Sequence, residues 1–161
     1  MTPAAEIPTD PAERVREMLE RFLDALDIDA EIEIDENDEL IDARVEGEGD
    51  ELGILIGRRG QTIDALQLLC YRAAYRGGQQ ERKRVSVDAA GYRERRAEIL
   101  ERQADRAAEA ALKSGDSYDL EPMSAQERRV IHTHLKERSG IETYSEGDEP
   151  DRFVVVAPLV E

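Results

Sequence analysis

Cysteine occurs once, at Cys70, and tryptophan not at all. A single thiol cannot build an internal disulfide framework, and such usage fits a reducing compartment. Cys70 falls on the apolar side of a helical stretch, where a free cysteine packs as a small core residue rather than serving as a nucleophile. Aromatic residues are scarce, two phenylalanines and five tyrosines, which limits binding by extensive base stacking. No apolar run of about 18 residues exists, so no transmembrane helix is expected. Residues 1–6, MTPAAE, lack a basic region ahead of an apolar core, so no secretory signal is expected. The predicted location is the cytoplasm. Histidine occurs only at His132 and His134, with no cysteine near them, which is too little for a metal site. Walker-type and Rossmann glycine motifs are missing. The carboxylates form surface runs rather than an isolated pair in apolar surroundings. Neither an enzyme nor a cofactor is therefore expected.

What is abundant is acid, and it is unevenly spread. The net charge of −16 argues against a generic nucleic-acid coat. Residues 1–50 hold 18 acidic and 4 basic side chains, residues 51–100 hold 6 and 10, and residues 101–161 hold 14 and 8. Only the middle third is basic. A local basic face on an acidic body points to a confined anionic partner.

At 161 residues the chain suits one domain or two small ones. Three prolines in residues 1–12 predict a loose tail. Residues 13–26 predict an amphipathic helix, with Val15, Met18, Leu19, Phe22, Leu23 and Leu26 on one face. Alternation then predicts a strand through Ala30, Ile32 and Ile34. The turn falls at Asn37-Asp38, and a second strand carries Leu40, Ala43 and Val45. A short helix with Leu52, Leu55 and Ile56 follows, capped by Asp50. A longer helix then runs to about residue 76, burying Ile63, Leu66, Leu69, Cys70, Ala73 and Ala74 and stopping at Gly77-Gly78. Residues 82–88 alternate again, with Val85 and Val87 inward. The second half predicts a charge-laced helix over 91–114, a short extended piece at 118–122, and a capping box at Ser124 and Glu127. A helix to about residue 138 and a hairpin over 141–157 complete it.

Between the short and the longer helix stands Gly57-Arg58-Arg59-Gly60. As a bare pattern it is either an ordinary helix–helix turn or a place where a sugar-phosphate backbone approaches. Its frame decides between them. The order αββααβ with this GxxG between two helices resembles a KH domain of type II topology. The resemblance implies a clamp for about four single-stranded nucleotides, with Gly57, Arg58, Arg59 and Gly60 on the backbone. It implies a base groove formed by Leu55, Ile56, Ile63 and residues near Val85. Arg82, Lys83 and Arg84 either line the rim of that groove or keep a strand edge basic against pairing. The acidic run at residues 35–39 takes the place of the loop that borders the groove, where it would oppose a phosphate backbone.

In the second half, Arg128 and His132 stand four residues apart on one helix, behind Glu121-Pro122-Met123 and the capping box. The spacing places both on one face, which is expected to be exposed and suited to phosphate binding and base stacking. The bland alternative is a solvent-facing Arg128 with His132 covering a core edge. This stretch resembles the RxxxH-type nucleic-acid-binding domain. A KH domain followed directly by that domain resembles the bacterial Jag family, also called KhpB or SpoIIIJ-associated proteins. The predicted fold class is therefore α+β, in two small domains. A tail at 1–12 precedes a type II KH domain at 13–89. An RxxxH-type domain at 90–161 follows, with helices on a small, mostly antiparallel sheet, and a long helix joins the two. Many family members carry a further N-terminal Jag domain, which this sequence is expected to lack.

The resemblance implies single-stranded RNA binding as an RNA chaperone or post-transcriptional regulator. It also implies a small single-KH partner protein and a link to cell-envelope and cell-division control. Two alternatives remain at this point: an adaptor whose acidic N-terminal third binds a basic protein, and a single-stranded DNA binder.

Overall fold

The computed structural model describes residues 8–48, 50–78 and 81–159. The chain forms two compact units that divide between Arg93 and Glu94. The first contains α1 (Pro11–Leu26), β1 (Glu31–Glu36), β2 (Leu40–Glu46), α2 (Leu52–Ile56), a 3-10 turn (Arg58–Gly60), α3 (Gln61–Ala74) and β3 (Arg84–Ala89). α1 starts two residues earlier than the periodicity suggests. Asp10 caps it by accepting from the Ala12 N–H, and Pro11 occupies the first position, where no N–H is needed.

The sheet order is β1-β2-β3, with β1 and β2 antiparallel and β2 and β3 parallel. A parallel neighbour requires a crossover. Residues 47–83 supply it, and α2, the 57–60 corner and α3 are what the crossover carries. Ile41, Ala43 and Val45 of β2 join Val85, Val87 and Ala89 of β3 in a core covered by Val15, Leu19 and Leu23 of α1 and Ile63, Leu66 and Cys70 of α3. β2 alternates strictly, with Ile41 rather than Leu40 on the inner face. α3 also differs from expectation. It ends at Ala74, and Leu69 is 47% exposed rather than buried. Cys70 is buried, and burial pushes its thiol up to about 12, so it is not a thiolate nucleophile.

The chain enters the second unit within the first turn of α4 (Tyr92–Ser114), and β4 (Tyr118–Asp119), α5 (Ala125–Leu135), β5 (Ile141–Glu146) and β6 (Phe153–Pro158) follow. β6 lies between β4 and β5, antiparallel to both. The inner face of α4 is mostly alanine: Ala104, Ala107, Ala108 and Ala111 are buried beside Leu100, while Ile99 and Leu112 stay largely exposed. The small side chains allow Ile131, Leu135, Val154 and Val156 to share one core with the helix. α5 ends at Leu135, short of residue 138. Its capping box is complete, with Glu127 N–H on Ser124 Oγ at 3.3 Å and Ser124 N–H on Glu127 Oε2 at 3.1 Å. The architecture is α+β in both units, as expected.

Candidate nucleic-acid interface

The 57–60 corner is built from backbone that ordinary residues avoid. Gly57 has φ 70° and ψ −177°, a region open in practice to glycine alone, and Gly60 has φ 78°. Both also sit against protein atoms. A Cβ on Gly57 would lie 2.1 Å from Thr62 Oγ1, and one on Gly60 would lie 2.7 Å from Tyr92 Cε1. The fold of the corner itself therefore demands glycine, before any ligand is considered. Between them Arg58 and Arg59 are exposed, and Arg59 adopts the left-handed conformation at φ 53°. No side chain caps the start of α3. The Gln61 N–H turns back to Arg58 O, and the positive end of the helix dipole lies beside two guanidinium groups, the chemistry of an anion seat.

A network that sequence patterns do not reveal fixes α3 in place. Arg93 donates from Nε to Val87 O at 2.9 Å, from Nη1 to Asp64 at 2.9 Å and from Nη2 to Gln67 at 3.0 Å. Gln67 Oε1 also accepts from the Val87 N–H at 3.0 Å. Farther along, Tyr75 Oη accepts from the Lys83 N–H at 2.7 Å. α3 therefore runs antiparallel to β3. Its start, with the corner, lies near residues 92–93 and its end near residue 83.

That direction corrects two expectations. The acidic turn does not face the corner. Glu39 O accepts from the Arg84 N–H at 2.8 Å, and Glu36 pairs with Lys83 Nζ at 2.8 Å. Both contacts lie at the start of β3, roughly 20 Å from its other end at a rise of about 3.3 Å per residue. Arg82, Lys83 and Arg84 share that remote end. Lys83 is engaged by Glu36, and Arg82 lines a shallow cavity with Arg14 and Arg76. The structure does not bring these three residues to the corner. In the apolar set, Leu55 and Ile63 are 2% and 1% exposed and belong to the core. Ile56 is half-buried, and the exposed apolar residue of α2 is Ile54.

In the second unit Arg128 and His132 do share a face of α5, but that face is turned toward β5 and the 146–151 turn rather than to open solvent. Arg128 is buried. It donates from Nη1 to Met123 O at 2.8 Å and from Nη2 to Glu149 Oε1 at 2.6 Å. The His132 ring lies between two hydroxyls, Nδ1 at 2.7 Å from Thr143 Oγ1 and Nε2 at 3.0 Å from Ser145 Oγ. Thr143 and Ser145 alternate on β5, so the strand's period of two presents both to the ring. Two open depressions meet at His132. One, of about 410 Å³, is lined by Arg128, Arg129, Ser145, Glu149 and Arg152; the other, of about 670 Å³, includes Lys136 and Tyr144. Arg128 and His132 are legible in the sequence; helical spacing points Arg129 elsewhere, and the remaining lining residues carry no sequence signal. His134 lies outside this site, bonded to Asp105 at 3.1 Å.

Burial, and after it the charge of Arg128, lowers the His132 pKa below its ordinary value. The ring is neutral at pH 7 and offers hydrogen bonding rather than charge. Because the folded-state value is depressed, the associated stability is present above about pH 6.5 and is lost as pH falls below it. Thermal unfolding between pH 7.5 and 5 should show the second unit losing stability, and a His132→Gln variant should lose less over that interval. Equal slopes would mean that His132 does not titrate as its surroundings imply.

Among the described residues, no cluster of His, Cys, Asp or Glu could hold a metal ion, and no helix is long and apolar enough to cross a membrane. The family description "KhpA/KhpB, KH domain" matches residues 12–88. A second family, the RxxxH-type domain named for its arginine and histidine, matches residues 98–158. RNA-binding protein KhpB of Clostridium symbiosum is 38% identical over 141 residues, covering 88% of this chain and 63% of that protein. The same-named protein of Bacillus subtilis is 34% identical over 150 residues, covering 92% of this chain and 71% of its own. That of Streptococcus pneumoniae is 34% identical over 145 residues, 90% of this chain but 43% of its own. The chain thus spans between about two fifths and seven tenths of these relatives.

Proposed function

The chain belongs to the KhpB family, and on that premise we propose that it binds single-stranded RNA through two separate contacts. The observation that carries the proposal is the 57–60 corner. Two exposed arginines stand at an uncapped helix start within a matched KhpA/KhpB-type domain. Gly57, Arg58, Arg59 and Gly60 take the RNA backbone there. Ile56, with its exposed neighbour Ile54, faces the bases, and Ile63 supports the corner from the core. A strand that continues along α3 toward the start of β3 meets Arg82, Lys83 and Arg84 only after about 20 Å.

The second contact is the depression around His132, with Arg128 holding its floor and Arg129 and Arg152 adding charge. With so few aromatic residues, each contact is modest and salt-sensitive, and joint engagement of one strand raises avidity. In the cytoplasm this suits an RNA chaperone or post-transcriptional regulator. On this reading the protein works with a small single-KH partner and is linked to cell-envelope and cell-division control.

Titration with a short single-stranded RNA should saturate. With three or four phosphates contacted, log K should fall with log salt with a slope of about −2 to −3. Absence of saturable binding, or preference for the same sequence as a duplex, would sink the proposal.

A further inference from the structure

The 146–151 turn carries Glu146, Asp148, Glu149 and Asp151 in six residues. One of these carboxylates reaches α5: Glu149 accepts from Arg128 Nη2 at 2.6 Å. The pair is unequal. The Arg128 side chain is 10% exposed and the Glu149 side chain 59%. Arg128 is anchored from beneath by Met123 O, so its position does not depend on Glu149. Its outward edge opens into the depression that Arg129, His132, Ser145 and Arg152 line. A fixed, largely desolvated guanidinium with two further arginines beside it is a seat for an oxyanion. The chain fills that seat with an oxyanion of its own, carried on an exposed turn.

We infer that Glu149 is an internal competitor, whose carboxylate occupies the place on Arg128 that an RNA phosphate takes when the second unit engages a strand. The inference rests on the proposed RNA binding and adds regulation to it. Carboxylate and phosphate make the same charge-assisted bond to a guanidinium, so either can serve, but not both at once. Displacing Glu149 also brings a phosphate toward Asp148 and Asp151, which repel it. An isolated anion at low concentration therefore loses to the tethered carboxylate. A strand already held at the 57–60 corner arrives at high effective concentration and wins. The second unit becomes a contact that closes only on RNA delivered by the first.

The test uses the full chain as wild type, Glu149→Gln, Glu149→Ala and Glu146→Gln. Glutamine keeps an acceptor for Arg128, so the fold is retained, and Glu146→Gln changes the net charge equally without touching Arg128. Each protein is titrated with inorganic phosphate at constant ionic strength, followed by NMR at the amides of residues 128–132. Each is also titrated with a short single-stranded RNA at several salt concentrations. The Glu149 variants should bind phosphate at several-fold lower concentration than wild type. They should bind RNA about three- to tenfold more tightly, because no carboxylate has to be displaced from Arg128 before the phosphate can take its place. If wild type binds RNA and the Glu149 variants match it in both titrations, the competitor is overturned and RNA binding stands. An equal gain in Glu146→Gln also overturns it, since net charge alone would then account for the change. If no form binds RNA but the Glu149 variants gain phosphate binding, the seat and its carboxylate stand as an anion site and the RNA reading falls. Failure in both titrations removes both.

Discussion

Reversing both charges at the corner, Arg58→Asp with Arg59→Asp, should weaken binding of a short single-stranded RNA about 30- to 100-fold at low salt. Two attractive phosphate contacts become two repulsive ones, a change of roughly 2 to 3 kcal/mol between exposed charges. Losing two contacts should also flatten the salt dependence by about 1.4 in slope, at 0.7 per phosphate on a single strand. The substitutions suit the backbone. Both side chains are exposed, and aspartate is among the residues that tolerate the left-handed conformation held by Arg59 at φ 53°. Unfolding temperature should therefore change by no more than a few degrees, which separates lost affinity from lost fold. Full-strength binding by the double variant would remove the corner from the interface.

Gly57→Ala should act in the opposite manner, on stability first. The substitution forces a Cβ into backbone conformation that only glycine occupies at ease, which costs about 1 to 3 kcal/mol. It also drives that Cβ to 2.1 Å from Thr62 Oγ1, 2.7 Å from Thr62 Cβ and 3.0 Å from the Thr62 backbone nitrogen. Rotating the threonine relieves only the first contact. A total loss of about 3 to 5 kcal/mol is expected for the first unit, on the order of 15 to 30 °C in midpoint for a unit of this size. Thermal or urea unfolding with a probe in each unit checks this, and the second unit's transition should stay in place. Thr62→Ala in the same chain should restore part of the loss, because it removes the Oγ1 overlap and leaves the Cβ contact and the backbone strain. A cost under about 1 kcal/mol for Gly57→Ala would show that the corner relaxes freely.

The reason both variants are informative lies in how the corner is made. The glycines and arginines are legible as a motif, since four adjacent residues carry it. The reason for the glycines is not, because Tyr92 meets Gly60 only after the crossover has folded back. The acidic turn is misplaced by sequence reading for the same kind of reason. Five residues show its charge, but only the parallel pairing of β2 with β3 puts Glu39 beside Arg84 and away from the corner. β2 itself reads out of phase at Leu40, because both Leu40 and Ile41 are apolar and only the sheet register selects Ile41.

The second site shows the limit most plainly. Spacing alone puts Arg128 and His132 on one face, and the structure agrees. Which way the face points depends on Thr143, Ser145 and Glu149, 11 to 21 residues away and brought in by the hairpin. Helical periodicity has no access to such partners. It likewise misses Arg93, whose side-chain bonds to β3 and α3 depend on tertiary placement rather than on pattern.

The most direct measurement is an NMR titration of the full chain with a short single-stranded RNA, read residue by residue. Backbone amides at residues 57–63 should shift first and at the lowest RNA concentration. Residues 128–132 and 143–152 should follow only with strands long enough to engage both contacts. The acidic turn at residues 35–39 should stay still with the shortest strands. Shifts that begin elsewhere and leave residues 57–63 unmoved, or no shifts at all, would contradict the assignment of the 57–60 corner as the RNA clamp.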